Sequence, residues 1–145
     1  HRNKTVVYYY DSTAIATNYV ETGHSAYDIV CEEFRQAGWT VNSVYLGTPM
    51  SHDKKHLIIN NCFQGGEDLI AVLNYDNNAE LIQAIQLAEV KIGEKGFRKD
   101  KSQEKSLETD TSLPYELRTD ATDAYDTNLL GCLTIPYNGS SYRWA

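Results

Sequence analysis

Two groups of carboxylates stand where chemistry could be done. Asp11 directly follows Thr5-Val6-Val7-Tyr8-Tyr9-Tyr10, an unbroken run of β-branched and aromatic residues, so the chain delivers an acid at the tip of a strand. Far along the sequence, Asp120, Asp123 and Asp126 recur at every third position at the head of an apolar segment. On a helix that spacing puts three like charges on one broad side near its start, where they repel unless a cation or the positive helix end compensates. A strand-tip acid joined by acids of a late helix is an arrangement suited to a divalent ion. Each group also has an ordinary explanation. Asp11 can close an Asx turn with Ser12 and Thr13, and the three later acids can form a solvated first helical turn.

Other reactive types are less organised. His52 and His56 have the i, i+4 spacing of a helical zinc pair, but no third ligand of matching quality is near and none of the intervening positions holds Glu. Lys54 and Lys55 sit at the start of the same segment, where one can meet a phosphate or simply face water. Gly93-Glu94-Lys95-Gly96 lacks the Gly-Lys-Ser/Thr ending of a phosphate loop. Arg98, Lys99 and Lys101 read as the tip of a hairpin able to touch a nucleic-acid backbone without reading bases, or as a solubilising loop. No Ser/His/Asp or Cys/His constellation stands out.

The elements that must position these residues can be read from the periodicity. Residues 4–10 form a strand, apolar on both faces as a central strand requires. Residues 25–37 form an amphipathic helix. Ser25 and Asp28 cap it, Ala26, Ile29, Val30, Phe34 and Ala37 line its inner face, and Gly38 stops it. A second strand covers 40–46. A helix over 53–62 is expected to bury Leu57, Ile58 and Cys62, and Gly65-Gly66 ends it. Residues 68–73 read as a short apolar strand. Asn77 or Asn78 then caps a helix carrying Leu81, Ile82, Ile85 and Ala88, followed by a hairpin over 90–99 turning near Lys95-Gly96 and a polar loop over 102–113. The last helix spans about 121–133, with Leu129, Leu130 and Leu133 inward. Strands alternating with helices imply an α/β layer with at least partly parallel pairing, in which ligands gather at the carboxyl ends of the strands, where Asp11 lies.

The 145 residues suit one domain, and eleven tyrosines supply much of the aromatic content. No apolar run is long enough to span a bilayer. The net charge of −7 argues against simple electrostatic attraction to nucleic acid. The charge is uneven, however. Six basic residues against three acidic ones between Lys91 and Lys105 leave +3 there and −10 elsewhere, as if one basic element held a backbone while acids held metal. Cys31, Cys62 and Cys132 are odd in number, widely spaced and set in apolar stretches, which points to buried reduced thiols. The Asn138-Gly139-Ser140 acceptor triplet is of a kind that arises often by chance. His1-Arg2-Asn3-Lys4 leads straight into a strand, which reads as a segment cut from a longer protein.

Four stretches together carry a resemblance: Tyr9-Tyr10-Asp11-Ser12-Thr13, the segment from Gly47-Thr48-Pro49 through Lys54-Lys55-His56, Gly96-Phe97-Arg98-Lys99-Asp100-Lys101-Ser102, and Arg118-Thr119-Asp120-Ala121-Thr122-Asp123-Ala124 running on to Thr127. Over nearly its whole length the chain resembles the large terminase subunits of tailed bacteriophages and prophages, most of all their C-terminal nuclease domain in a branch common in Bacteroides-type phages. The resemblance implies a ribonuclease H-like layer, with a central mixed sheet flanked by helices, that cuts double-stranded DNA during genome packaging. It implies Asp11 and Asp123 as catalytic and metal-binding acids, Asp120 as a further metal ligand, and Mg2+ or Mn2+ as cofactor. Two such ions, roughly 3.5–4 Å apart in enzymes of this kind, activate water and stabilise the leaving oxygen. Lys54, Lys55, Arg98, Lys99 and Lys101 become DNA contacts. An upstream ATPase motor domain, the portal and the small terminase subunit become partners, and the host-cell cytoplasm the location, with no membrane.

One departure qualifies this. The family's first acid lies on an earlier strand, upstream of anything present here. The expectation is therefore a fragment that lacks the first strands of the fold, one metal-binding acid and most cutting activity. The competing reading is a non-catalytic module that docks on the packaging motor through its acidic surface. A cell-wall amidase would need a His-rich zinc site that the sequence does not supply.

Overall fold

The structure, a computed structural model, describes residues 4–16, 23–93, 96–100 and 120–134, with the side chains of Phe97 and Asp120 outside that description. Lys101, the expected loop over 102–113 and the triplet at 138–140 lie outside the described residues. The chain divides into two compact units, one built within His1–Pro49 and the other within Met50–Leu133.

In the first unit, β1 (Lys4–Tyr10) pairs in parallel with β2 (Trp39–Tyr45), Tyr8 standing opposite Ser43 and Tyr10 opposite Tyr45. The connection carries α1 (Ser12–Ala16) and α2 (Ala26–Gln36), so strand, helix and parallel strand follow one another as the alternation required. The cap of α2 forms as expected: Asp28 N–H donates to Ser25 Oγ at 3.2 Å, and Ser25 N–H donates to Asp28 Oδ2 at 3.0 Å. Gly38, at φ +81°, takes the left-handed turn that ends this segment. α2 covers one face of the pair. Tyr27 packs on Tyr10 with ring centroids 4.4 Å apart and donates its hydroxyl to Ser43 Oγ at 2.9 Å, while Cys31 is fully buried beneath. Burial first, then the neighbouring Cys31 and Asp11, push the Tyr8 hydroxyl above its ordinary pKa.

Several expectations are corrected here. β1 is not buried on both faces, because its only sheet partner among the described residues is β2, and Val7 on the face opposite α2 is exposed. Ala37 is exposed because it is the C-cap, outside the inward stripe. The five-residue α1 was not legible from periodicity, being too short to show any.

The second unit contains α3 (His52–Gln64), α4 (Ala79–Leu87), the antiparallel pair β3 (Val90–Gly93) and β4 (Gly96–Lys99), and α5 (Asp120–Thr134). The hairpin is as expected. Gly96 takes φ +101°, and a Cβ there would sit 3.8 Å from the Asp53 side chain, so the turn lies against the start of α3. Among the described residues the strands make two separate two-stranded sheets, not one central mixed sheet. The segment 68–73 does not form a strand. Its side chains alternate, with Ile70 and Val72 exposed, but no described strand pairs with it, and Ala71 N–H donates instead to Cys62 O at 3.1 Å. Without a paired neighbour the segment stays irregular, with a bend at Asp68 and Leu69.

In α3, Cys62 is buried as expected and Ile58 is half-buried, but the expectation fails at Leu57. Leu57 is exposed, and the buried residues are Ile59 and Cys62. Counting back from Cys62 by helical steps puts Ile59, Lys55 and His52 on the inward stripe. α4 buries Ala84, and α5 buries Leu129. Cys132 is exposed, contrary to expectation, because it falls off the Thr122–Asp126–Leu129 stripe of α5. Among the described residues no helix is long and apolar enough to cross a membrane.

Candidate functional site

The inward stripe of α5 is the source of the site. Thr122, Asp126 and Leu129 follow the i, i+4, i+7 rule, and all three are buried, with Asp126 at 7 % exposure. A buried carboxylate must be hydrogen-bonded or paired. Its partners come from two other elements of the same unit. Lys99, the last residue of β4, places its ammonium 2.7 Å from Asp126 Oδ2, 2.9 Å from Asp123 Oδ1 and 2.8 Å from Thr122 Oγ1. Lys55, on the inward stripe of α3, lies 3.7 Å from Asp126 Oδ2. An ammonium has three N–H donors, and these three contacts use all of them.

The lysine and carboxylate side chains at this point are 10–30 % exposed. In such surroundings charge-assisted bonds are stronger than at the open surface. Beside them opens a cavity of about 140 Å³ whose polar lining includes His52, Lys55, His56, Lys99 and Asp126 and whose apolar lining includes Phe63. Tyr125 also faces it, stacked on Phe63 with centroids 6.1 Å apart. Burial, followed by the nearby Cys62 and Asp126, raises the Tyr125 hydroxyl above its ordinary pKa.

The residues expected to act together are distributed as follows. Asp123 is at the site, half-buried and bound to Lys99. Asp120 opens α5, with its side chain outside the described residues. Asp11 belongs to the first unit. Its Oδ1 accepts from Thr13 N–H at 2.9 Å and from the Thr13 hydroxyl, so this carboxylate closes the local turn that starts α1. Among the basic residues, Lys54 and Arg98 are exposed, whereas Lys55 and Lys99 are engaged with α5. His52 and His56 both border the cavity. Among the described residues no three His, Cys, Asp or Glu side chains gather as a metal-ligating group.

Asp126 is the residue that sequence reasoning undervalued. It was one of three acids in a row, yet the signal was present: only Asp126 lies three positions before Leu129 and seven before Leu133, in phase with the apolar stripe. The Lys99 pairing, 27 residues away in sequence, left no local signal.

The acceptors around the Lys99 ammonium are two carboxylate oxygens and a hydroxyl, hard oxygens of the kind that Mg2+ and Mn2+ prefer. Both charged oxygens are already paired with Lys99, and Asp126 with Lys55 as well, so among the described residues the set is too small for a divalent ion without a further ligand. Comparison with protein-family profiles, curated proteins and solved structures returns no match.

Proposed function

We propose that this chain is part of a metal-dependent nuclease domain, of the kind the terminase resemblance implies, with its acids on α5. The observation that supports it is the gathering of Asp123, Asp126 and Thr122 around the Lys99 ammonium, beside a cavity that Lys99 and Asp126 help to line. Asp123 and Asp126 would hold Mg2+ or Mn2+, joined by Asp120 in the resemblance. Bound there, the ion would supply water activation and charge neutralisation for phosphodiester hydrolysis. The chain's own part is to fix the two carboxylates on a rigid helix and to present Lys54 and Arg98 at the surface for a DNA backbone. Asp11 enters through the resemblance, as the acid of the central strand. Double-stranded DNA, a ribonuclease H-like sheet, an upstream motor, the portal and the small subunit belong to the same proposal.

The test is Mn2+ binding followed by calorimetry. The intact chain is expected to bind, and Asp123→Ala, which removes one converging oxygen at a half-exposed position, to abolish binding. Unchanged binding in that variant overturns the assignment.

A non-catalytic docking module is favoured by a different observation. The second unit exposes large apolar side chains, Ile92 at 92 % and Val72 at 82 % among them, more than a solvated surface needs. Association with a motor domain that Ile92→Lys abolishes, and that EDTA leaves intact, would favour it over the nuclease.

A further inference from the structure

Two lysines meet the α5 carboxylates, and only one of them is satisfied there. A largely buried ammonium must be both paired and hydrogen-bonded. Lys99 is, with acceptors at 2.7, 2.8 and 2.9 Å. The Lys55 side chain is as sheltered, at 14 % exposure, yet its contact with Asp126 Oδ2 is 3.7 Å, beyond hydrogen-bond length. That same oxygen already accepts from Lys99. Among the described residues the Lys55 ammonium donates no hydrogen bond, so three N–H donors and a charge remain to be used where Lys55 lines the cavity of about 140 Å³.

The rest of the lining says what would use them. Two lysines and two histidines face the cavity against a single acid, Asp126, which disfavours a cation and favours an anion. Asn60 Nδ2 and His56 Nε2 are bonded to each other at 2.8 Å, which fixes one part of the polar wall. Carbon supplies much of the remainder, through Ile59, Ile85, Val90 and the Phe63–Tyr125 stack. A few polar groups set in an apolar wall are the make-up of a small-molecule site. At ~30 Å³ for each water in the liquid, the space equals about five waters. That admits one ring or a short chain, and nothing of drug size, whose sites begin at roughly 300 Å³.

We propose that this cavity binds a small monocarboxylate with an apolar body, its carboxylate on the Lys55 ammonium and its ring or chain against Ile85, Phe63 and Tyr125. The charge of the ligand follows from the pairing. Lys99 is matched by Asp123 and Asp126, so one ammonium is left and it calls for one negative charge. A phosphate dianion would bring a second charge with no cation to meet it. The carboxylate oxygens give Lys55 charge-assisted hydrogen bonds in place of a long ion pair, and the apolar body covers carbon that otherwise meets water. This site goes beyond the nuclease reading and is independent of it, because it holds no metal and Asp123 takes no part.

Calorimetry on the full chain tests it, with benzoate as the probe. Benzamide keeps the shape without the charge, acetate keeps the charge without the ring, and dimethyl phosphate stands for the phosphate of a DNA backbone. Each is expected to bind at least tenfold more weakly than benzoate. Lys55→Met, which keeps the apolar stem and removes the charge, is expected to lower benzoate affinity at least tenfold, while Lys54→Met, at an exposed position, leaves it unchanged. A second measurement needs no variant. Acetylation of Lys55 by a small amine-reactive ester, followed by mass spectrometry, is expected to slow several-fold at saturating benzoate, with that of Lys54 constant. Absence of benzoate binding, equal affinity for benzamide or acetate, unchanged affinity in Lys55→Met, or Lys55 acetylation indifferent to benzoate overturns the proposal. Tighter binding of dimethyl phosphate also overturns it and gives Lys55 to a nucleic-acid backbone. Mn2+ binding is measured separately, so the nuclease reading stands or falls on its own.

Discussion

Asp11 and Asp126 are both carboxylates at the ends of apolar patterns, and the two units use them in opposite ways. Asp11 is satisfied within two residues, by the amide and hydroxyl of Thr13. Asp126 is satisfied by lysines 27 and 71 positions away, on β4 and α3. The first is a local device that ends a strand and begins a short helix. The second ties three elements together, and its burial leaves a charge that must be neutralised wherever the chain is folded. A carboxylate explained by its neighbours in sequence says little about chemistry. One whose partners are assembled only by tertiary folding is a better candidate for it, because its surroundings are set by the fold and not by its neighbours in sequence.

The largest effect that follows is at Asp126. Asp126→Ala takes from Lys99 one of its two carboxylates and from Lys55 its ion pair, and is expected to destabilise the second unit by about 2 kcal/mol, read as a fall in the urea midpoint. The same change at Asp123, whose side chain is 30 % exposed, should cost about 1 kcal/mol once solvent screening is allowed for. Asp126→Leu combined with Lys99→Met should recover part of the loss, since an apolar pair needs no neutralisation. If Asp126→Ala unfolds at the intact chain's midpoint, the ion pairs are not holding the three elements together and the contrast with Asp11 disappears.

A smaller effect belongs to the first unit, where local devices dominate. Ser25→Ala removes the capping box of α2 and is expected to cost about 1 kcal/mol. The cap also has a pH signature. The hydrogen bonds from Ser25 hold Asp28 below its ordinary value of 3.8. Its folded pKa is depressed, so its contribution is fully present above that ordinary value and is lost as pH falls through the lower, folded one. The stability difference between the intact chain and Asp28→Asn should therefore be constant near neutrality, begin to shrink below about pH 4 and vanish only below the folded pKa. A difference that persists there would show that Asp28 acts through something other than its charge.

What was legible in the sequence follows the same division. The capping box of α2, its stop at Gly38 and the hairpin around Gly96 were readable because each is decided within four residues. The alternation of β1, α2 and β2 was readable from the change of period, and it gave a parallel pair. The segment 68–73 has strand alternation without a strand, because pairing depends on a neighbour that no local pattern can promise. Leu57 was placed inward because it is apolar. Cys62 was placed inward correctly, but the residue that shares its stripe is Ile59, and that phase brings two polar residues, His52 and Lys55, onto the inner face where a composition rule would never put them. That inversion is what builds the site. The acids of α5 were visible as a repeat, but which of them is buried depended on phase with Leu129, and which lysine meets them depended on where the hairpin lies. Chemistry-bearing types were therefore found by sequence, and their pairing was not.

The smallest effect is at Asp11, and it decides the most. As the acceptor that starts a five-residue helix, it should contribute little to stability, and Asp11→Ala is expected to cost about 0.5 kcal/mol. The terminase resemblance asks for far more: the acid of a central strand, binding the same ions as Asp123. The two roles separate cleanly in Asp11→Asn, which keeps an acceptor oxygen for Thr13 and removes the charge. If Asp11 is only a turn residue, Asn serves as well, and neither the urea midpoint nor Mn2+ affinity moves. A metal ligand behaves differently, leaving the midpoint unchanged while Mn2+ affinity falls at least tenfold. The proposed nuclease requires this second outcome. The first would leave the α5 acids and Lys99 as an ion-pair cluster within one unit, and the resemblance would lose the residue that opened it.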